Sequence, residues 1–427
     1  MNDIQILGKI PLYGEISTQG SKNAVLPMMA ASLLHRGTTT LMNVPCIEDV
    51  SCMVGILEKL GAKVAREGRQ MTIDASCLDS CEISLDYVRK MRSSIMVLGP
   101  LVARMGQAVT HYPGGCSIGK RPVDYHVQLL RDLGLTVTEE DGRIEVKADR
   151  YEGTELSLCF PSVGATENAI MAAVGARGET VIRGCAREPE IVELCCFLAK
   201  MGIETLGAGS GTIRVRGQRS RKDPIYRVCG DRIAAGTYLA AAAVTGGEIC
   251  LTDVPVSYMD TTLRALCACG CLIMTENDRV RLQAPKVLKP LSYLETAVYP
   301  GFPTDMQSVF LAMLCLAPGE SRIRETIFEG RFETAAELAH MGAYIEVKEN
   351  CARIVSDGRL KGAQVTARDL RGGAALIVAG LAAEGRTVVK ECDHVDRGYE
   401  DIITDMRQLG ASVERIRDTK AHRNMAG

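Results

Sequence analysis

Tryptophan is absent from the 427 residues, and the other aromatic residues are few, with 6 Phe and 12 Tyr. So small a supply argues against a surface on which the bases of single-stranded nucleic acid would stack. Acidic and basic residues nearly balance, at a net charge of -2, so the overall charge favours neither nucleic acid nor an anionic membrane as a partner. No apolar stretch of about 20 residues lacks a polar interruption, so a membrane-spanning helix is not expected. Any site for an anion must therefore be formed by a local cluster of positive charges.

Cysteine, by contrast, is plentiful, with 17 residues. The chain opens without a signal-peptide pattern and most cysteines lie inside apolar runs such as ELCCFLAKMG, so we expect free thiols in a reducing cytoplasm. One spacing typical of a metal site, Cys267, Cys269 and Cys271, has no neighbouring histidine and ends a predicted helix, so we interpret it as core packing. The glycine-rich GAGSGTIRVRG opens no helix and does not predict a dinucleotide site. The sequence thus predicts neither a metal nor a cofactor.

A short phrase recurs six times, in which an amphipathic helix ends in glycine and passes into a β-rich run. Its glycines are spaced about 70 residues apart, at Gly61, Gly134, Gly202, Gly270, Gly342 and Gly410. Glycine ends a helix readily because it adopts the left-handed conformation without strain. The pattern therefore indicates six copies of one structural unit.

A second helix precedes the recurring phrase in every unit, and small residues dominate it, as in ATENAIMAAVGARG and GGAALIVAGLAAEG. Helices that are apolar on nearly all sides are expected in the interior. A β-branched segment separates the two helices and two strands follow, so each unit is predicted as βαβαββ. We predict an α/β protein of two similar domains, each built from three units with buried helices and outer sheets.

Polar residues fall in register at the helix starts of these units. Cations recur there, namely Lys22, Arg92, Arg121, Arg331, Arg371 and Arg397. Because a cation adds to the positive charge at the N-terminal end of a helix, the shared placement predicts that these ends surround an anion. The alternative, six solvated surface charges, explains any one of them but not the register. Acidic residues at such starts, such as Glu188 and Asp231, are equally well explained as helix caps.

The segment HYPGGCSIGKRPVDYH places Cys116 outside any apolar run. Two glycines precede it, as in a loop that moves or approaches a ligand closely, and Lys120 and Arg121 follow it. Neighbouring cations favour a thiolate or a bound anion, so the pattern predicts a chemical role for this residue. The alternative is an incidental thiol in a surface loop.

Motifs spread from about residue 6 to about residue 416 resemble those of one enzyme family. The motifs are GSKNAVLP, MRSSIMVLGPLVAR, PGGCSIGKRPVDYH, PSVGATEN, AREPEI, FPTDMQ, FEGRF and DHVDRGYEDI, and the family is that of the UDP-N-acetylglucosamine 1-carboxyvinyltransferases, or enolpyruvyl transferases. The resemblance implies transfer of the enolpyruvyl group of phosphoenolpyruvate to the 3′-hydroxyl of UDP-N-acetylglucosamine, with release of phosphate. This is the first committed step of peptidoglycan precursor synthesis in the bacterial cytoplasm, and it is the target of fosfomycin.

The resemblance also implies the fold, two inside-out α/β barrel domains of three units each. Residues 1–20 and 230–427 would form one domain, and residues 21–229 would form the other. The active site would lie in the cleft between them, with Cys116 on a mobile loop.

The matching motifs imply roles for particular residues. Cys116, Asp305, Lys22 and Arg397 would be catalytic. Of these, Asp305 would take the proton of the 3′-hydroxyl, and Cys116 would protonate the methylene carbon or form a covalent adduct. Four arginines and Lys22 would surround phosphoenolpyruvate: Arg121, Arg331, Arg371 and Arg397. The UDP-sugar site would be lined by Asn23, Arg92, Arg121, Pro122, Val123, Asp124, Tyr125, Ser162, Val163, Gly164, Asp305 and Ile327.

Two other functions stay open at this point. The sister transferase acting on shikimate 3-phosphate shares the fold and the donor, but PGGCSIGKRPVD and REPEI weigh against it. A non-catalytic paralogue that binds a nucleotide sugar would have no use for an acid and a base, so Cys116 and Asp305 weigh against it. Some family members carry lysine just ahead of SVGAT, where this chain has Phe160 and Pro161, which leaves a cationic contact to the diphosphate open.

Overall fold

The computed structural model describes residues 2–112, 123–148, 150–218, 220 and 222–417. The chain divides into two compact units. The terminal unit contains the described residues of 2–19 and 230–417, and the central unit contains those between 20 and 229. The chain therefore leaves the terminal unit after Gln19 and returns to it at Gly230.

The described residues contain α-helices and short 3-10 helices. The α-helices are α1 (Lys22–Ala31), α2 (Glu48–Lys59), α3 (Leu85–Lys90), α4 (Leu98–Met105), α5 (Asp124–Asp132), α6 (Val163–Ala173), α7 (Pro189–Lys200), α8 (Arg232–Thr245), α9 (Asp260–Ala268), α10 (Gln307–Leu314), α11 (Thr334–His340), α12 (Leu370–Ala382) and α13 (Ile402–Gln408). The 3-10 helices are Ser32–Leu34, Arg92–Val97, Val256–Tyr258, Thr304–Met306 and Cys392–Arg397.

The strands of the described residues follow the same repeated order. They are β1 (Asn2–Leu7), β2 (Tyr13–Ser17), β3 (Thr38–Met42), β4 (Lys63–Glu67), β5 (Gln70–Asp74), β6 (Gln107–His111), β7 (Thr136–Glu140), β8 (Arg143–Lys147), β9 (Glu155–Ser157), β10 (Glu179–Arg183), β11 (Thr205–Leu206), β12 (Thr212–Arg216), β13 (Ile225–Arg227), β14 (Glu248–Thr252), β15 (Leu272–Glu276), β16 (Arg279–Gln283), β17 (Leu294–Glu295), β18 (Gly319–Arg324), β19 (Tyr344–Lys348), β20 (Cys351–Ser356), β21 (Gln364–Thr366), β22 (Arg386–Lys390) and β23 (Ser412–Arg417).

Within the described residues these strands form six sheets, five of four strands and one of three. In the sheet of order β11-β12-β10-β9, the first strand β9 pairs in parallel with β10, while β12 pairs antiparallel with both β10 and β11. Helix α6 connects the parallel strands, as a parallel pair requires, and α7 leads into the hairpin. The predicted βαβαββ unit is confirmed in this sheet.

Other sheets take a strand from a distant part of the chain. Strand β2 pairs in parallel with β14, which lies more than 230 residues further on, and β13 pairs in parallel with β3. Strand β1 completes the sheet β21-β22-β1-β23. In the three-stranded sheet, the first strand of the unit is reduced to a bridge between Glu82 and Val109. The predicted repeat unit is therefore present, but three of the sheets take one strand from a distant part of the chain.

The small-residue helices lie in the interior, as predicted. They are α1, α4 and α6 in the central unit and α8, α10 and α12 in the terminal unit. All thirteen residues of α12 are buried. A Cβ atom at Gly99 of α4 would lie only 2.5 Å from the Asn168 carbonyl oxygen on α6, so glycine permits this close approach. Burial of apolar surface on every side of these helices contributes most to the stability of each unit.

The cysteines of the described part of the chain are free thiols. Cys269 and Cys271 are buried, and burial raises the pKa of each to about 12, which fits core packing. The same interpretation is wrong for Cys267, which lies on α9 and is exposed. In the described ranges no helix is both long and apolar enough to cross a membrane.

Candidate active site

Lys22, predicted to bind phosphate, is the first residue of helix α1 in the central unit. The Ser21 hydroxyl caps this helix by accepting from the Ala24 N–H at 3.3 Å. The Lys22 Nζ lies 2.6 Å from Asp49 Oδ2, and both side chains are almost completely buried. Asn23 follows in the same turn and is half-buried. The carboxylate that balances this buried cation comes from helix α2, and no pattern in the sequence singled it out.

A second cluster of the central unit forms at the start of helix α6. Ser162 is its cap and accepts from the Ala165 N–H, so Val163 and Gly164 form the first helical turn. A Cβ atom at Gly164 would lie 3.2 Å from His126 Cε1, so the glycine lets the imidazole approach the helix start. Buried His126 follows the segment Val123–Tyr125, which was predicted to line the UDP-sugar site.

His126 is held in one protonation state. The Asn168 amide accepts from the Gly99 N–H at 2.8 Å and donates to the Ile95 carbonyl oxygen at 2.9 Å and to His126 Nδ1 at 2.8 Å. Burial, assisted by the nearby charge of Arg92, lowers the pKa of His126 to about 4. The imidazole is therefore neutral near pH 7 and carries its proton on Nε2. Arg92 itself begins the 3-10 helix that leads into α4.

The aromatic residue that replaces a lysine of some family members packs against a predicted site residue. The rings of Phe160 and Tyr125 stack, with centroids 6.4 Å apart and planes inclined by 20°. Of the other residues of this segment, Val123 is buried and Asp124 is exposed at the start of α5. The contact is thus made by two aromatic rings, and Phe160 itself supplies no positive charge there.

In the terminal unit the structure brings together Asp305, Arg331 and Arg371. Asp305 Oδ1 accepts from Arg331 Nη2 at 2.9 Å and lies 3.4 Å from Arg371 Nε. Both guanidinium groups are buried, whereas the Asp305 side chain is 25% exposed. Burial alone would lower the pKa of Arg371, but the facing Asp305 carboxylate raises it above the ordinary value, so this arginine stays charged.

Arg331 has hydrogen-bonding capacity to spare. Its Nε and Nη1 atoms are buried and find no acceptor among the residues that the structure describes. The guanidinium also lies over the Phe328 ring, 5.2 Å from its centroid. A buried charged donor without an acceptor is strongly unfavourable, so this arrangement is suited to an anion bound beside it.

A buried carboxylate holds two segments of this cluster in place. Glu325 Oε1 accepts from the N–H groups of Ile327 and Phe328, at 2.7 and 3.0 Å, and its Oε2 accepts from the Thr304 hydroxyl at 2.9 Å. Thr304 opens the 3-10 helix that carries Asp305. Glu325, 1% exposed, therefore ties the Asp305 segment to the Ile327 segment.

Arg397 does not keep the predicted register. It was expected at a second-helix start, but it ends the 3-10 helix Cys392–Arg397, and α13 begins only at Ile402. Gln19 holds the turn that follows, because its Nε2 donates to the Gly398 carbonyl oxygen at 2.9 Å and its Oε1 accepts from the Glu400 N–H at 2.8 Å. Arg331 likewise precedes its helix by three residues. Cys116, Lys120, Arg121 and Pro122 lie outside the described residues.

Comparison with solved structures defines the class of protein. The enolpyruvyl transferase NikO from Streptomyces tendae superposes with a TM-score of 0.88 at 24% identity, covering 97% of this chain and 98% of that one. The sequence model of the family described as EPSP synthase (3-phosphoshikimate 1-carboxyvinyltransferase) matches residues 7–406. The fold is thus that of the enolpyruvyl transferases.

Sequence relatives narrow the class to one family. A UDP-N-acetylglucosamine 1-carboxyvinyltransferase 2 from Caldanaerobacter subterraneus subsp. tengcongensis is 43% identical over 97% of this chain and all of the relative. A UDP-N-acetylglucosamine 1-carboxyvinyltransferase from Dichelobacter nodosus is 44% identical over 98% of this chain and all of the relative. The chain belongs to the UDP-N-acetylglucosamine 1-carboxyvinyltransferase family.

Proposed function

We propose that this transferase moves the carboxyvinyl group of phosphoenolpyruvate to the 3′-hydroxyl of the sugar in UDP-N-acetylglucosamine and releases phosphate. The observation that carries the proposal is the cluster of Asp305, Arg331 and Arg371. It combines a partly exposed carboxylate, which can accept a proton, with buried guanidinium groups that can hold an anionic donor. A protein that only bound a nucleotide sugar would not need this combination.

Phosphoenolpyruvate fits the electrostatics of these arginines. The spare Nε–H and Nη1–H groups of Arg331 supply donors for one of its anionic groups, and Arg371 supplies a second buried charge. Bound anions would offset the arginine charges that now stabilise the Asp305 carboxylate, and Asp305 would become a stronger base when the donor is in place. Deprotonation of the acceptor would thus be coupled to binding of the donor.

The central unit supplies groups suited to the nucleotide sugar. The first turn of α6, at Val163 and Gly164, presents backbone N–H groups at the positive end of a helix, where a phosphate or a sugar oxygen can bind. Neutral His126 lies beside it and has a proton on Nε2 to donate. Arg92 adds a positive charge nearby. These features support the assignment of this cluster to the UDP-sugar.

The reaction follows from the residue types. Asp305 takes the proton of the 3′-hydroxyl while the 3′-oxygen of the sugar attacks C2 of phosphoenolpyruvate. Cys116 gives a proton to C3, and the product of this addition is a tetrahedral ketal phosphate. Loss of the C3 proton and departure of phosphate then restore the double bond. Lys22, Arg121 and Arg397 complete the proposed phosphate site. Cytoplasmic precursor synthesis for peptidoglycan is the proposed setting.

Release of inorganic phosphate from phosphoenolpyruvate tests the proposal. We expect release with UDP-N-acetylglucosamine and none with shikimate 3-phosphate or without an acceptor. Release only with shikimate 3-phosphate would assign the sister reaction. Tight binding of UDP-N-acetylglucosamine without any release would assign a non-catalytic nucleotide-sugar protein.

A further inference from the structure

An apolar groove lies in the terminal unit between helix α11 and strand β19, outside the residues assigned to substrates. Its volume is about 420 Å³. Its floor is formed by Phe332, Ala335, Ala336, Ala339, Ile345 and Val347. Three exposed glutamates, Glu329, Glu333 and Glu349, stand around it. We call this feature the alanine groove.

One sister unit of the repeat carries an ion pair where the groove has apolar side chains. Counted from the recurring glycine, Ala339 and Val347 stand three residues before and five after Gly342. Arg131 and Glu139 stand at the same places around Gly134, and their side chains form an ion pair of 2.8 Å that spans helix α5 and strand β7. In the unit of Gly342 an alanine and a 42% exposed valine stand at these places.

Stability does not account for the apolar residues at these places. An ion pair as exposed as that of Arg131 and Glu139 contributes little to folding, so replacing it brings little gain. An exposed valine beside exposed alanines is itself unfavourable in water. Apolar side chains ringed by carboxylates fit an amphipathic partner that carries positive charge.

The rim specifies the charge of that molecule. Glu329, Glu333 and Glu349 form no ion pair among the residues that the structure describes, and all three are exposed. Side chains alternate along β19, so Ile345 and Val347 face the groove while Lys348 points to the opposite face. The surface is therefore apolar in its centre and negative at its edge.

We propose that the alanine groove docks a short cationic amphipathic helix of a partner protein. The apolar side of that helix would cover the floor, and its lysines or arginines would pair with the three glutamates, in the helix-in-groove mode of recognition. The occupant would also touch the segment 329–333, which carries Arg331, and Arg331 donates to Asp305. Docking would thereby change turnover. This effect on turnover rests on the proposed function, but the binding of the helix does not depend on it.

Fluorescence anisotropy tests the binding with a labelled peptide of about twelve residues, in which leucines recur at i, i+3 and i+4 and lysines fill the other places. The informative variant is Ala339→Arg/Val347→Glu, which fills the groove with the ion pair already present in the sister unit. The matched control is Arg131→Ala/Glu139→Ala, which removes that pair from the sister unit. A second peptide with glutamate in place of lysine controls for charge.

We expect wild-type protein to bind the lysine peptide, the filled variant to bind it about tenfold or more weakly, and the sister-unit variant to bind as wild type does. Hydrogen exchange should show protection of residues 334–349 by the lysine peptide and none by the glutamate peptide. Equal affinity for the wild-type and filled proteins would overturn the proposal, as would failure of the wild-type protein to bind. Melting curves of both variants verify that they fold.

Discussion

Two interior helices, one in each unit, begin with a cation that is met by a carboxylate, but the two carboxylates differ in exposure. Lys22 at the start of α1 contacts Asp49, whose side chain is 4% exposed, and Arg371 in the first turn of α12 contacts Asp305, which is 25% exposed. A buried carboxylate can only hold its cation in place. An accessible one can also contact a substrate, so the comparison separates an orienting pair from a pair suited to chemistry.

The comparison also shows which physical effect requires the carboxylates. A cation at a helix start is disfavoured by about 0.3 to 1 kcal/mol through the helix dipole. Removing a charge from water costs several kcal/mol unless a counter-charge is supplied. Lys22 and Arg371 are both buried, so the cost of burial exceeds the cost imposed by the dipole. The helix-dipole argument thus identifies Lys22 and Arg371, although the dipole is a weaker effect on these cations than their removal from water.

The largest effect is expected from Asp305→Asn, which keeps the shape of the side chain and removes the base. Turnover should fall by about two or more orders of magnitude, while the KM for UDP-N-acetylglucosamine changes much less. Steady-state phosphate release measures both parameters. Full turnover in this variant would assign the base to another residue. Asp305 would then differ from Asp49 in exposure but not in chemical role.

Asp49→Asn should act on stability rather than on chemistry. It leaves the buried Lys22 charge without its carboxylate, so the free energy of unfolding should fall by about 2 kcal/mol or more. Urea denaturation measures the loss, and phosphoenolpyruvate should restore stability more in the variant than in wild type, because its phosphate replaces the missing charge.

The control for this variant is Asp260→Asn, which breaks an ion pair with Arg264 that is exposed on both sides and should change stability little. Equal effects of the two substitutions would mean that burial of the Lys22–Asp49 pair has no energetic consequence.

Glu325→Gln tests whether the accessible carboxylate depends on its support. The amide oxygen can keep the two backbone N–H groups, but the amide nitrogen can only donate to the Thr304 hydroxyl. A charge-assisted contact is then replaced by a weaker neutral one of reversed direction, and the Asp305 segment is held less firmly. We expect kcat to fall about tenfold, corresponding to about 1.4 kcal/mol. Thr304→Val, which removes only the hydroxyl contact, should lower kcat in the same direction. Unchanged kcat in both variants, with a lowered melting temperature, would restrict Glu325 to a structural role.

Protonation of His126 is expected to have the smallest effect on the protein, a local change in stability. Because its folded pKa of about 4 lies below the unfolded value of about 6.5, the folded protein binds fewer protons in this range. Its contribution to stability is therefore present above pH 6.5 and is lost as the pH falls toward 4. Nitrogen-15 NMR of labelled histidine should show a neutral ring with its proton on Nε2 at pH 5.5. An imidazolium signal for His126 at that pH would contradict the assignment.

The fold could largely be predicted because each unit is specified locally. Glycine stops such as Gly61 and Gly342 and the small-residue helices recur with one period, and local chemistry explains both. The pairing of β2 with β14 and of β13 with β3 could not be predicted from local pattern, since strands that pair in parallel across some 200 residues leave no local pattern. A parallel pair is chosen by the packing of the whole unit.

From the residues alone, the candidate site could be predicted only where a cation stands at a predicted helix start, whereas Asp305 was implied by the resemblance to the family. Arg331 and Arg371 stood out because cations are unfavourable at helix starts, and both lie at the cluster around Asp305. Asp49 and Glu325 were missed because an acid near a helix start or after a strand is ordinary. His126 had a usable signal, since it falls on the apolar face of α5 and is buried there.

The identity of the product tests the proposed reaction most directly. Phosphoenolpyruvate labelled with carbon-13 would be incubated with the protein and UDP-N-acetylglucosamine, and the nucleotide sugar would be analysed by mass spectrometry and NMR. We expect a labelled carboxyvinyl ether on the 3′-oxygen of the sugar, one phosphate released per ether formed, and no product from the 3′-deoxy sugar. A labelled ether at another position, or phosphate release with the 3′-deoxy acceptor, would contradict the proposed reaction.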